Sequence, residues 1–220
     1  MSYKNIFLDL DGTLTDSGEG IMNSVAYSLR KFGIEETNRE KLRTFIGPPL
    51  FASYMREYGF DHEKAMLAVD YYREYFAPKG IYENRPYDGI PELLGALKKE
   101  GKMLYLATSK PEPYAEEIVK HFGLYEYLDG LFGSTMTEER TKKEEVVAYA
   151  LEKTGIARTD VVMVGDRSHD IIGARANGIA SIGVLFGYGS EEELCEAGAD
   201  RIVKTVEELR DVLIGGNENE

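Results

Sequence analysis

From Tyr87 onward the chain alternates short apolar runs with amphipathic stretches of helical length, and this alternation restricts the fold more than any other feature. Met103-Leu104-Tyr105-Leu106-Ala107, Val161-Val162-Met163-Val164 and Ser181 to Leu185 read as buried strands, with shorter ones near Gly130-Leu131-Phe132 and Ile202-Val203. Helices are expected from Pro91 to Leu97, with a stop at Gly101, and from Glu112 to Phe122. Three more are expected from Lys143 to Lys153, from Asp170 to Asn177 and from Val206 to Leu213. The run Tyr3 to Leu8 supplies one further strand at the N-terminus. Strands separated by helices pair in parallel, and helices then cover both faces of the sheet, which makes the class α/β.

Residues 16–86 break this rhythm. Ile21, Val25, Leu29 and Phe32 recur at helical spacing up to Gly33, and Asn38 is placed to cap a second helix carrying Leu42, Phe45 and Ile46. Leu50 to Tyr58 and Glu63 to Phe76 read as two more helices, before Pro78. The expected organisation is a helical insert at 16–86 in a parallel-sheet domain of residues 1–15 and 87–220. Tyr71, Tyr72, Tyr75 and Phe76 are then expected in the core and interface of the insert rather than as a base-stacking platform. No internal repeat is visible, and Gly215 to Glu220 reads as a frayed tail.

Composition narrows the partners. The net charge is −13, from 39 acids against 26 bases, with no basic block, so nucleic acid and anionic membrane are poor partners. The single cysteine, Cys195, rules out an internal disulfide, suits a reducing compartment and has no base beside it to make it a nucleophile. With no signal peptide and no long apolar run, the expected location is cytoplasmic, as a monomer or dimer.

In open parallel sheets, ligands sit beyond the carboxyl ends of the strands. Polar groups gather at those ends here: Asp9 and Asp11 after the first strand, Thr108-Ser109-Lys110 after the second, and Gly165-Asp166 after a later one. Side chains two apart on a strand share a face, so Asp9 and Asp11 are expected to present two carboxylates together, with Gly12 turning the backbone and Thr13 offering a hydroxyl. A phosphate dianion about 4 Å from one carboxylate is repelled by about 4 kcal/mol per charge pair at an effective dielectric near 20. A divalent cation held by Asp9, Asp166 and the Asp11 backbone carbonyl would offset that repulsion, and the oxygen-only donor set suits Mg2+. Asp170 is expected to act through water or to orient its neighbours. Lys143 would add positive charge, and the Thr108 hydroxyl and nearby N–H groups would bind phosphate oxygens. Asp9 is the natural nucleophile and Asp11 the natural acid and base. His169 has no necessary part in this chemistry.

Asp9-Leu10-Asp11-Gly12-Thr13-Leu14-Thr15-Asp16-Ser17, Thr108, a downstream lysine and Gly165-Asp166-Arg167-Ser168-His169-Asp170 resemble the four motifs of the haloacid dehalogenase superfamily. The nearest branch is phosphoglycolate-phosphatase-like, with a helical cap inserted after the first motif. Phe45-Ile46-Gly47-Pro48-Pro49-Leu50 and Ala107-Thr108-Ser109-Lys110-Pro111 further resemble a 5′-nucleotidase-like subgroup. The resemblance implies a Rossmann-like core, Mg2+, and catalytic roles for Asp9, Asp11, Thr108 and Lys143, with Asp9, Asp11, Asp166 and Asp170 at the metal. Lys142 is the alternative to Lys143, because the usual Lys-Pro is replaced by Thr141-Lys142-Lys143-Glu144-Glu145. Gly12, Thr13, Ser109 and Lys110 are expected substrate contacts, and Gly47 and Pro48 lie in a candidate recognition loop. Many relatives carry Asn where Ser109 stands.

The implied activity is Mg2+-dependent hydrolysis of a small phosphorylated metabolite through an aspartyl-phosphate, phosphoglycolate-phosphatase-like or 5′-nucleotidase-like. Transfer of the β-phosphoglucomutase kind would use the same acids. The metal-free 2-haloacid dehalogenases lack the second aspartate, so Asp11 argues against them. A receiver domain carries its acceptor on an interior strand and is much shorter.

Overall fold

A computed structural model describes residues 3–137 and 139–215. The part of the expected tail beyond Gly215 lies outside the described residues. The chain separates into two compact units, one holding the residues up to Thr15 and from Pro86 onward, the other Asp16–Arg85.

The first unit is a sheet of six parallel strands in the order β3-β2-β1-β4-β5-β6, the α/β fold expected from the alternation. The strands are β1 (Asn5–Leu8), β2 (Met103–Pro111), β3 (Gly130–Ser134), β4 (Val161–Gly165), β5 (Ala180–Val184) and β6 (Arg201–Val203). Phe7 pairs with Tyr105 on one side and Met163 on the other, so these three share one face. They pack with Val146, Val147 and Ala150 of α7 (Lys143–Thr154) and Ala174 of α8 (Ser168–Ala176). Ile6, Leu104 and Val162 alternate to the opposite face and are fully buried. The remaining helices of this unit are α5 (Ile90–Lys99), α6 (Glu112–His121), α9 (Glu191–Ala197) and α10 (Val206–Ile214).

The second unit contains α1 (Gly18–Arg30), α2 (Arg39–Arg43), α3 (Leu50–Tyr58), α4 (His62–Phe76) and a short 3₁₀ turn, Gly80–Tyr82. The Asn38 side chain accepts hydrogen bonds from the backbone N–H groups of Glu40 and Lys41, which fixes the start of α2. Phe45, Tyr54, Phe60, Tyr72 and Phe76 fill the interior, while Tyr71 and Tyr75 are only partly buried.

Three differences from the sequence reading bear on function. β1 ends at Leu8, as read, but strand geometry does not extend to Asp9 and Asp11: both stand on the loop beyond it, and their carboxylates are not presented together. β2 runs on to Pro111, because a bulge lets Thr108, Ser109 and Lys110 stay within it. Helix α9 was not anticipated at all: three consecutive glutamates and only Leu194 buried give it no apolar stripe.

Candidate active site

Asp9 donates its backbone N–H to the Val164 carbonyl (3.0 Å), which carries the β1–β4 ladder one residue past the strand and sets Asp9 beside Gly165 and Asp166. The next residues close a tight loop, with Leu14 N and Thr15 N both donating to the Leu10 carbonyl (3.0 and 2.9 Å). Gly12 has φ +85°, and a Cβ there would collide with the Asp166 carboxyl group. Only glycine satisfies both conditions.

The bulge in β2 positions a second set of groups. Ala107 pairs with Phe132 and Pro111 with Ser134, so Thr108, Ser109 and Lys110 lie opposite the single residue Gly133. A bulge of this kind re-aims side chains at the end of a strand. Thr108 is buried and its hydroxyl oxygen accepts from Lys110 N (3.2 Å), which leaves the hydroxyl proton for another acceptor. The Lys110 ammonium pairs with Asp11 Oδ2 at 3.0 Å, both groups buried. Ser109 is partly exposed.

Lys143, the first residue of α7, is buried; its ammonium donates to Asp9 Oδ1 (2.6 Å) and the Ala107 carbonyl (3.0 Å) and pairs with Asp170 Oδ1 at 2.8 Å. Lys142 is exposed and its N–H meets the Glu145 carboxylate. Asp170 also accepts from Arg167 N through Oδ2 (3.1 Å), which holds it against the start of α8. Asp166 is fully buried, with Oδ1 taking the Thr13 hydroxyl (3.4 Å) and Oδ2 the Tyr188 N–H (2.8 Å).

Asp9, Asp166 and Asp170 offer carboxylate oxygens that all lie within 4.8 Å of one another. Asp170 is thus part of the cluster itself. The Asp11 carboxylate stands outside it, paired with Lys110, and Asp11 Oδ1 has no hydrogen-bond partner among the described residues. Burial raises the Asp9 carboxyl above its usual range; Lys143 pulls it back and Asp170 pushes it up further. Burial raises Asp166 well above that range, with Asp170 and Asp9 adding to the effect. Burial alone would lower Lys143, but Asp170 and Asp9 together raise it. One ammonium thus meets two of the three buried carboxylates, Asp9 and Asp170, and burial makes Asp9 and Asp166 resist ionisation. An oxygen-only set with this charge deficit suits a hard divalent cation such as Mg2+.

Gly47 and Pro48 belong to the helical unit, in the turn between α2 and α3, where Gly47 has φ +104°. Thr13, expected at the substrate, directs its hydroxyl to Asp166. Tyr188 N escaped the sequence reading, although the pattern Gly187-Tyr188-Gly189 just beyond an apolar strand is the kind of signal that marks a close backbone approach.

Residues 6–184 match the model of the haloacid dehalogenase-like hydrolases. The chain belongs to that family. It is 50% identical to a 5′-nucleotidase of Pseudomonas aeruginosa over 194 residues, 88% of each protein. It is 36% identical to the tyrosine-protein kinase PtkA of Mycobacterium tuberculosis, over 94% of this chain and 72% of that one. A solved structure described as a predicted phosphatase from Clostridium acetobutylicum superposes with a TM-score of 0.95 at 48% identity, covering 98% of this chain and all of that one. This haloacid dehalogenase-like hydrolase is an enzyme of the phosphatase class. Among its described residues, no helix is long and apolar enough to cross a membrane.

Proposed function

We propose that the protein hydrolyses small phosphate monoesters, nucleoside 5′-monophosphates foremost, through an aspartyl-phosphate on Asp9. The observation that carries this reading is the Lys143 ammonium bridging Asp9 and Asp170 inside a cluster that also holds Asp166. Asp9, Asp166 and Asp170 are the residues that would hold Mg2+. When bound, the ion supplies the positive charge that lets a phosphate dianion approach a carboxylate.

Lys143 fixes Asp9 through Oδ1 and keeps its carboxylate from swinging away from the substrate. A carboxylate oxygen of Asp9 bonds to phosphorus as the ester P–O bond breaks, and Asp11 delivers a proton to the departing oxygen. Asp11 then takes a proton from water as that water attacks phosphorus, which breaks the Asp9–phosphorus bond and releases inorganic phosphate. The Thr108 hydroxyl donates to a phosphate oxygen, and the Lys110 ammonium keeps Asp11 aimed while adding positive charge. Choice among esters belongs to the helical unit acting as a cap, with Gly47 and Pro48 as its candidate recognition residues. A lone cysteine, Cys195, with no partner for an internal disulfide suits a reducing compartment such as the cytoplasm.

The preference for nucleotides rests on the Pseudomonas aeruginosa relative. The test is phosphate release from a panel of nucleoside 5′-monophosphates, phosphoglycolate and sugar phosphates, with magnesium and with chelator. Release from nucleoside monophosphates that stops on chelation and returns with magnesium is expected. No release from any monoester in magnesium would refute the reading. A second reading, passage of the phosphoryl group from Asp9 to a hydroxyl acceptor other than water, is favoured by the mycobacterial relative. Analysis of products formed with added tyrosine-containing acceptors separates the two.

A further inference from the structure

One segment grips Asp166 from two sides, and the chemistry above leaves it without a role. Tyr188 N donates to Asp166 Oδ2, and Gly187 comes so close that a Cβ there would run into the Gly12 carbonyl and the Asp166 side chain. Two residues beyond Tyr188, the Ser190 hydroxyl accepts from Glu193 N (3.1 Å) and starts α9. Glu193 then reaches back to the residues that follow Asp166. Its Oε1 accepts from Ser168 N (2.8 Å), the Ser168 hydroxyl (2.8 Å) and Arg167 Nε (3.0 Å), and Oε2 also faces Arg167 Nε (3.3 Å). Asp166 and Asp170 lie on either side of this anchored pair.

We propose that Glu193 is a positioning residue for the divalent-cation site: by clamping Arg167 and Ser168 it fixes the spacing between Asp166 and Asp170. The inference rests on the magnesium reading given above. Three charge-assisted hydrogen bonds converge on one carboxylate oxygen, and such bonds are about twice as strong as neutral ones. Burial alone would raise the Glu193 carboxyl, yet the bonds from Ser168 and the Arg167 guanidinium hold it below its ordinary range. The carboxylate is therefore present to do the clamping at neutral pH. Glu191 and Glu192, on the same turn of α9, are exposed. Orienting partners of this kind change metal affinity by roughly 10–100-fold when removed.

The experiment is calorimetric titration of the full-length, metal-free protein with magnesium, beside thermal melts in chelator. Glu193→Ala is expected to weaken binding by roughly 10–100-fold. Glu193→Gln keeps an acceptor for Ser168 but loses the charge opposite Arg167, and an intermediate weakening is expected. Glu192→Gln makes the same charge change at an exposed position and is expected to bind like the parent. Parent-like affinity in both folded Glu193 variants would overturn the proposal, as would equal weakening in Glu192→Gln. Should Glu193→Ala not fold, the Gln variant decides alone. Failure of the parent itself to bind magnesium would instead overturn the metal reading on which the proposal rests.

Discussion

Among the described residues, the unit formed by Asp16–Arg85 buries no charged side chain, its buried polar groups being hydroxyls such as those of Ser17, Ser24, Ser28, Ser53 and Tyr54, whereas the sheet unit buries Asp9, Asp11, Asp166, Asp170, Lys102, Lys110 and Lys143. The serine hydroxyls of α1 return to nearby carbonyls, Ser24 to Gly20 (2.6 Å) and Ser28 to Ala68 (2.7 Å). The rest of that interior is aliphatic and aromatic, with Phe45 edge-on to Tyr54 (centroids 4.9 Å apart) and Tyr72 stacked on Phe76 (5.1 Å). Burying an ionised group costs several kcal/mol unless partners surround it, and a hydrophobic replacement is often as stable. A core that keeps four aspartates with Lys110 and Lys143 paired among them thus retains these groups for something other than stability. The interior of the helical unit answers to packing alone.

The contrast breaks most visibly at the nucleophile. Asp9→Asn is expected to lower turnover by roughly 10³-fold or more with the fold retained, the scale seen when a nucleophile is removed. Steady-state phosphate release and circular dichroism check this, and comparable hydrolysis by the variant would remove Asp9 from its role. In the helical unit the order of effects reverses. Phe45→Ala is expected to cost about 3–5 kcal/mol of stability, by loss of a fully buried ring. Denaturant melts measure that cost, and the magnesium affinity of the folded variant is expected to stay at the parent's value.

A subtler prediction turns on sign. The Asp166 carboxyl is raised above its ordinary value of 3.8 in the folded protein, so the folded state holds that proton more tightly than the unfolded chain does. Its contribution to stability is complete below about pH 3.8 and is lost as pH rises through the raised value. Asp166→Asn has no such loss. In chelator the variant is expected to melt above the parent, by a margin that widens as pH rises from about 4 toward neutrality. A variant that melts below the parent throughout that range would show that the buried charge is not a burden.

Much of the architecture was legible because local signals agreed with one another. In α3 the span read from Leu50 to Tyr58 coincides with the observed helix, and the Asn38 cap is where a capping residue was read. The bulge at Thr108-Ser109-Lys110 was not legible, since two extra residues in a strand leave no mark in hydrophobic alternation. Helix α9 was missed for a different reason: its short run has no apolar stripe, its Ser190 cap is a weak local signal, and Glu193 reaching across to the start of α8 is a tertiary contact that spacing does not show. Within the site, spacing could bring Asp9, Thr108 and Asp166 to strand ends. It could not say which of Lys142 and Lys143 turns inward, nor that the Asp11 carboxylate meets Lys110 while Asp170 joins Asp9 and Asp166.

The most direct test asks where the phosphoryl group rests during turnover. Protein quenched in acid a few turnovers after mixing with a nucleoside 5′-monophosphate and magnesium, then reduced with borohydride, converts any acyl phosphate to an alcohol that mass spectrometry can locate. The account predicts that the reduced residue is Asp9, and that the product vanishes when magnesium is chelated. Reduction at another carboxylate, or phosphate release with Asp9 never modified, would contradict it.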